Sequence, residues 1–195
     1  MLAALLAAFV AVLWGTIAAF GVFPADSATA AEVAEQRLGT VGLAIPHALA
    51  FLGNPPVAAA WTALLAVAVG RSLGRRYGIL VVAAAGVAVI TTTIKVIADR
   101  PRPQAGQGLD PSFPSGHTAY VTAVLGLTAV LLAERNRWRF AAVAVLIVAA
   151  MGPSRVVLGV HWLSDVLAGY AIGLAWLGLV LAFGLPWARA QTANT

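Results

Sequence analysis

The chain has 195 residues, of which 61% are hydrophobic and only 10% charged, with a formal net charge of +5. Soluble domains carry about 25% charged residues, so this composition belongs in a lipid bilayer. It contains no cysteine, which excludes disulfides and thiolate chemistry, and it has neither the basic tail nor the aromatic-basic stripe of a nucleic-acid binder.

A spanning helix needs about 20 apolar residues. The first candidate runs from Leu2 to Phe23. Ala28-Thr29-Ala30 then resembles a signal-peptidase site, but no Lys or Arg precedes the apolar run, so the segment is expected to be retained. Ala30 to Arg37 carries Glu32, Glu35 and Arg37 and is expected at the surface. Val41 to Leu52 is apolar but short, and Pro46 interrupts it, so it reads as an interfacial or re-entrant helix. Further spans are expected at Val57–Val69 (starting near Pro55), Ile79–Ala98, Thr118–Ala133, Phe140–Met151 (continuing toward Val157) and Leu163–Leu185.

The charges orient these segments. Arg71, Arg75 and Arg76 follow the second span, Arg135, Arg137 and Arg139 separate the fourth from the fifth, and Arg189 follows the sixth. Basic loops stay in the cytoplasm. The predicted fold is therefore all-α: an integral membrane bundle of six transmembrane helices in one domain, residues 1–195. Both termini are cytoplasmic, and an interfacial or re-entrant helix lies near residues 30–52. Trp138 and Trp187 fall at the inner interface and Trp162 at the outer one.

On this topology an unusual set of polar residues gathers on the outer face. Lys95 ends the third span, Asp99, Arg100 and Arg102 follow it, and His117 opens the fourth. Arg155 ends the fifth, and His161 and Asp165 open the sixth. Charges at membrane depth are costly and mark function. Lys95, Arg102 and Arg155 form a trio of cations matched to a tetrahedral dianion, because arginine forks bind phosphate oxygens bidentately. Gly116 lets the backbone come close to a ligand, and the first N–H groups of the following helix form an anion site. Ser115 either caps that helix or donates to the anion. His161 and Asp165 are spaced i, i+4, so the carboxylate can fix the imidazole tautomer and make the ring a better nucleophile. His117 is placed to protonate a departing alkoxide. The three histidines show no metal-ligand spacing. His47 is expected at the interface, and Arg100 is expected either to steer anions or to face water. Gly169 and Gly173 are read as helix packing within the chain, and Thr91 to Thr93 as bonding to their own helix.

Lys95-x6-Arg102-Pro103, Pro114-Ser115-Gly116-His117 and Ser154-Arg155-x5-His161-x3-Asp165 together resemble the three-part signature of the type 2 phosphatidic acid phosphatase family. That resemblance implies hydrolysis of a lipid phosphate through a phosphohistidine on His161, oriented by Asp165. His117 would act as general acid and then as the base for water. Lys95, Arg102, Ser115, Gly116 and Arg155 would hold the phosphate, with no metal and no cofactor. The implied partners are a lipid phosphate substrate and membrane lipids, with no nucleic acid. The implied location is a bacterial plasma membrane with the site facing outward. Polyprenyl diphosphate, phosphatidylglycerol phosphate, phosphatidic acid and a lipid A phosphate all remain open as substrates. A phosphotransferase using the same intermediate is the alternative. An anion transporter is disfavoured because the spans are almost purely Ala, Val, Leu, Ile and Gly.

Overall fold

A computed structural model describes residues 2–35, 39–103 and 110–192. The described residues form helices joined by short turns: α1 (Leu2–Phe20), α2 (Pro24–Glu35), α3 (Thr40–Leu52), α4 (Pro55–Leu73), α5 (Arg75–Ala85), α6 (Val87–Ala98), α7 (Gly116–Ala133), α8 (Trp138–Val157), α9 (Leu163–Leu179) and α10 (Leu185–Thr192). A π-helical stretch, Val180–Gly184, joins the last two. Arg37 lies outside the described residues, while Glu32 and Glu35 are exposed on α2.

Among the described residues, five helical segments are long and apolar enough to cross a membrane: Pro55–Leu73, Arg75–Ala98, Gly116–Ala133, Trp138–Val157 and Leu163–Ala190. The protein is therefore an integral membrane protein. The N-terminal helix α1, 19 residues long, packs along α9 and buries Val10 and Ile17 there. The span expected at 79–98 falls within Arg75–Ala98, with its helix interrupted at Gly86. The Ala83 carbonyl, at the last turn before the break, accepts the Gly86 N–H and the indole N–H of Trp176 on α9, both at 3.0 Å. A side chain thus satisfies backbone where the ladder is interrupted.

Helix α7 is the centre of the bundle, in contact with α5, α6, α8 and α9. Its Ala119, Val121, Ala123, Val124 and Leu127 are fully buried. Its small residues permit close neighbours. Gly169 and Gly173 of α9 face it so tightly that a Cβ would meet the Ser115 and Ala119 carbonyl oxygens at 2.7 Å each. The Gly-x-x-x-Gly pair is thus an intrachain helix seam. Thr91 and Thr93 donate to the Ala88 and Val89 carbonyls of their own helix at 3.1 and 2.9 Å, as the sequence suggests.

Helix direction sorts the charges to two ends. At one end the α4–α5 turn, the α7–α8 turn and α10 meet: Arg189 pairs with Glu134 at 2.9 Å, and Arg76 donates to the Trp187 carbonyl at 2.8 Å. At the other end lie the C-termini of α6 and α8 and the N-termini of α7 and α9.

Candidate active site

Three local devices bring the polar residues of that second end together. The first ends α6. Asp99 adopts a left-handed conformation (φ 40°, ψ 40°) and donates its N–H to the Lys95 carbonyl. Aspartate is among the residues that tolerate this region. The chain then folds back on itself. Ser112 donates its N–H to the Arg100 carbonyl (2.7 Å) and its hydroxyl to the Pro101 carbonyl (3.0 Å). Lys95 Nζ donates to the Pro111 carbonyl, and Arg102 is held by the Asp110 and Val160 carbonyls at 3.0 and 2.7 Å.

The second device starts α7. A cis Phe113–Pro114 bond precedes Ser115, which caps the helix by backbone position without a side-chain bond to it. Its N–H donates to the Asp165 carbonyl (3.0 Å), and its hydroxyl accepts from Thr118 (3.0 Å). The third follows α8. Gly159 at φ 65° turns the chain, a conformation that glycine adopts without a Cβ penalty. His161 then lies ahead of α9, which begins at Leu163 rather than at His161. Asp165 nonetheless reaches back: its Oδ2 accepts the Trp162 N–H at 2.9 Å and lies 3.4 Å from His161 Nδ1. That separation is an ion-pair distance, longer than a hydrogen bond.

Lys95, Arg102, Gly116, His117, Arg155 and His161 line one cavity of about 630 Å³. Ser115 and Asp165, both fully buried, stand behind its wall. The cavity continues away from the charges along Ala58 and Ala59 of α4, Ala85 of α5 and Ala88 of α6, so one end is cationic and the other apolar. His117 lies on Gly53, where a Cβ would come within 2.2 Å of the ring, and the ring bonds the backbone of Ala50. Helix α3 thereby supports a residue far along the chain. Its C-terminal carbonyl at Leu52 is in turn held by the Trp61 indole at 2.9 Å. His47 is exposed on the same helix.

Two features of the site have direct electrostatic meaning. Arg155 is only 7% exposed, and its Nε and Nη1 are buried without a hydrogen-bond partner among the described residues. Buried donors are almost always paired, so an orphaned guanidinium in a cavity wall is organised for an anion. Burial, reinforced by the charges of Lys95 and Arg102, lowers the His161 pKa to about 4 against the raising effect of Asp165. Its imidazole is therefore neutral near pH 7, with a lone pair available.

Arg100 is neither a solvent-facing nor a steering charge. It is 4% exposed and bridges Asp26 Oδ2 (2.8 Å) and Asp165 Oδ1 (2.6 Å). Asp26 on α2 is a partner the sequence reading missed. The available signal was a lone carboxylate among the small and apolar residues just after the first span, a costly position for a charge without a partner.

The class defined is thus a membrane-spanning bundle of apolar helices with cations and two histidines around one cavity at one end. A family model described as the PAP2 superfamily matches residues 76–188, and the chain belongs to that superfamily. Over 80 residues it is 41% identical to the lipid A 1-phosphatase of Rhizobium johnstonii, covering 41% of this chain and 30% of that protein. Over 78 residues it is 36% identical to phosphatidylglycerophosphatase B of Bacillus subtilis, covering 37% of this chain and 38% of that one. The matches thus span about a third of the relatives' own length. Among solved structures, the crystal structure of a transmembrane PAP2 type phosphatidylglycerolphosphate phosphatase from Bacillus subtilis superposes with a TM-score of 0.82. The identity is 24%, and the superposition covers 93% of this chain and 94% of that one. The fold is shared nearly end to end.

Proposed function

We propose that the protein hydrolyses a phosphomonoester or diphosphate on a membrane lipid through a phosphohistidine intermediate. The observation that carries this reading is the buried Arg155 guanidinium, whose Nε and Nη1 have no partner among the described residues, in a cavity that Lys95, Arg102 and two imidazoles also line. With Nδ1 of His161 turned to Asp165, Nε2 is the nucleophile. It attacks phosphorus, an N–P bond forms, and the bond to the lipid oxygen breaks. His117 gives that oxygen its proton. His117 then takes a proton from water, whose oxygen attacks phosphorus. The N–P bond breaks, inorganic phosphate leaves, and both histidines return to their starting states. Lys95, Arg102 and Arg155 neutralise charge on the phosphoryl oxygens, the task metal ions perform in other phosphoryl-transfer enzymes. The N–H groups at the start of α7, beginning with Gly116, add a helix-terminal contact.

The apolar limb along Ala58, Ala59, Ala85 and Ala88 fits the acyl or prenyl chain of such a substrate. Together with the basic opposite end, it favours a bacterial plasma membrane with the site on the extracytoplasmic side and six spans counting α1. The similarity to proteins named for lipid A 1-phosphate and phosphatidylglycerophosphate supports a glycerolipid or glycolipid phosphate, with polyprenyl diphosphate as the further candidate. The test is release of inorganic phosphate from a panel of lipid phosphates in EDTA, with vanadate as inhibitor. Turnover independent of added divalent cation and lost in His161→Ala is expected; near-normal turnover in His161→Ala would overturn the reading.

A further inference from the structure

Resting on that reading, we infer that Asp26 and Arg100 are positioning residues for the nucleophile: a buried carboxylate–guanidinium–carboxylate chain that sets both the place and the charge of Asp165. Every link is short. Asp26 Oδ1 accepts the Ser164 N–H at 2.8 Å, and its Oδ2 accepts from Ser164 Oγ (2.6 Å) and Arg100 Nη2 (2.8 Å). Arg100 Nη1 reaches both Ser164 Oγ (2.8 Å) and Asp165 Oδ1 (2.6 Å). Asp165 Oδ2 is left for the Trp162 N–H and for His161 Nδ1. Arg100 also lies over the Trp162 ring, 5.4 Å from its centroid. The side chains of Asp26, Arg100 and Asp165 are 2%, 3% and 0% exposed, so solvent screens little of this.

The charge count explains why two acids share one arginine. A simple Arg100–Asp165 pair would be neutral, and His161 would lie beside a neutral group. Adding Asp26 makes the chain carry one net negative charge. When Nε2 of His161 becomes bonded to phosphorus, the ring keeps its Nδ1 proton and acquires positive charge. A net negative partner stabilises that ring, whereas a neutral one does not. The geometry serves the same end. Asp26 holds the first turn of α9 through Ser164, so α2 fixes the helix that carries Asp165 while Arg100 fixes the carboxylate's rotation.

Charge and shape are separable by substitution. Asp26→Asn keeps the size and an acceptor for the Ser164 N–H but removes the charge. It is expected to lower kcat by roughly ten- to a hundredfold, by analogy with the loss of a carboxylate that orients a metal-bound histidine. KM should change little, because Asp26 is outside the phosphate pocket. Asp26→Asn combined with Arg100→Gln restores the single net negative charge on Asp165 and is expected to recover kcat several-fold above Asp26→Asn alone. A residue that only braced the fold would give the opposite result, a double variant worse than the single one. Quenched-flow trapping of labelled phosphoenzyme from a radiolabelled lipid phosphate supplies the second readout, with slower accumulation in Asp26→Asn and recovery in the double variant. Wild-type kcat in Asp26→Asn, or a double variant below the single one, would overturn the positioning chain. His161→Ala run alongside separates the two readings: activity there refutes the phosphohistidine itself, whereas an inactive His161→Ala with an unaffected Asp26→Asn refutes only the chain.

Discussion

Replacing Arg155 with Met should move activity and stability in opposite directions. Arg155 is 7% exposed, and two of its guanidinium nitrogens have no partner among the described residues. Each buried unsatisfied donor costs about 1–3 kcal/mol, so the pair weighs roughly 2–6 kcal/mol against the ligand-free fold. Methionine fills a similar volume with no polar atom, and swaps of a buried charge for a packed apolar side chain are often stabilising by about 1–4 kcal/mol. Stability should therefore rise. For a chain of this length each kcal/mol shifts Tm by about 2–4 °C, which puts the expected gain at several degrees. Catalysis pays the cost. Two charge-assisted hydrogen bonds to phosphoryl oxygens, at about 1.5–3 kcal/mol each, correspond to a loss of roughly 10²–10⁴ in kcat/KM. The native tryptophans, six in number, report unfolding in detergent by fluorescence. Vanadate at about ten times its Kd should stabilise the wild type by about 1.4 kcal/mol and Arg155→Met far less. A variant that melts lower than wild type while keeping its kcat/KM would make Arg155 a structural cation instead.

Gly53→Ala should impair chemistry while sparing the fold: Gly53 has ordinary helical torsions (φ −85°, ψ 0°), but the new Cβ would lie 2.2 Å from His117 Cδ2. Displacing the ring by about 1 Å is expected to cost on the order of 10²-fold in kcat, read by steady-state phosphate release, with the protein still folded by its tryptophan fluorescence. Gly173→Ala should do the reverse at the other face of α7: its Cβ would meet the Ala119 carbonyl and Thr122 Cβ at 2.7 Å, so α9 must shift. Overpacking of this kind costs about 1–3 kcal/mol, visible as a lower Tm. His161, held near pKa 4 rather than 6.5, should remain neutral down to about pH 5, and its histidine NMR signal, assigned by loss in His161→Ala, should titrate near 4. The unfolded chain binds this proton first as pH falls, so between about pH 6.5 and 4 the folded state loses stability with falling pH. A midpoint above pH 6 would contradict the desolvated environment.

Five spans and the residues that line the cavity are legible in the amino-acid order alone. Hydropathy alone places the five described segments that are long and apolar enough to cross a membrane within about five residues, because an apolar helix has no other stable place and its polar backbone must bond internally. Charge near the bilayer is costly enough that Lys95, Arg102, His117, Arg155, His161 and Asp165 stand out with no structure at all, and the structure gathers them at one end of the bundle. Even the i, i+4 spacing of His161 and Asp165 is a short-range fact, although they meet across a helix start rather than along a helix face.

Which groups stand behind the pocket follows from long-range packing. Arg100 and Arg102 are the same residue type two positions apart. Yet the left-handed turn at Asp99 and the folded-back loop send one to a buried pair of carboxylates and the other to the cavity wall. Asp26 meets Ser164 across 138 positions of chain, and Gly53 at the end of α3 meets His117 in the first turn of α7. Hydrophobic pattern is silent on such pairs. It reports how each helix faces its own surroundings, whereas which helix lies beside which is set by packing of side chains distant in sequence.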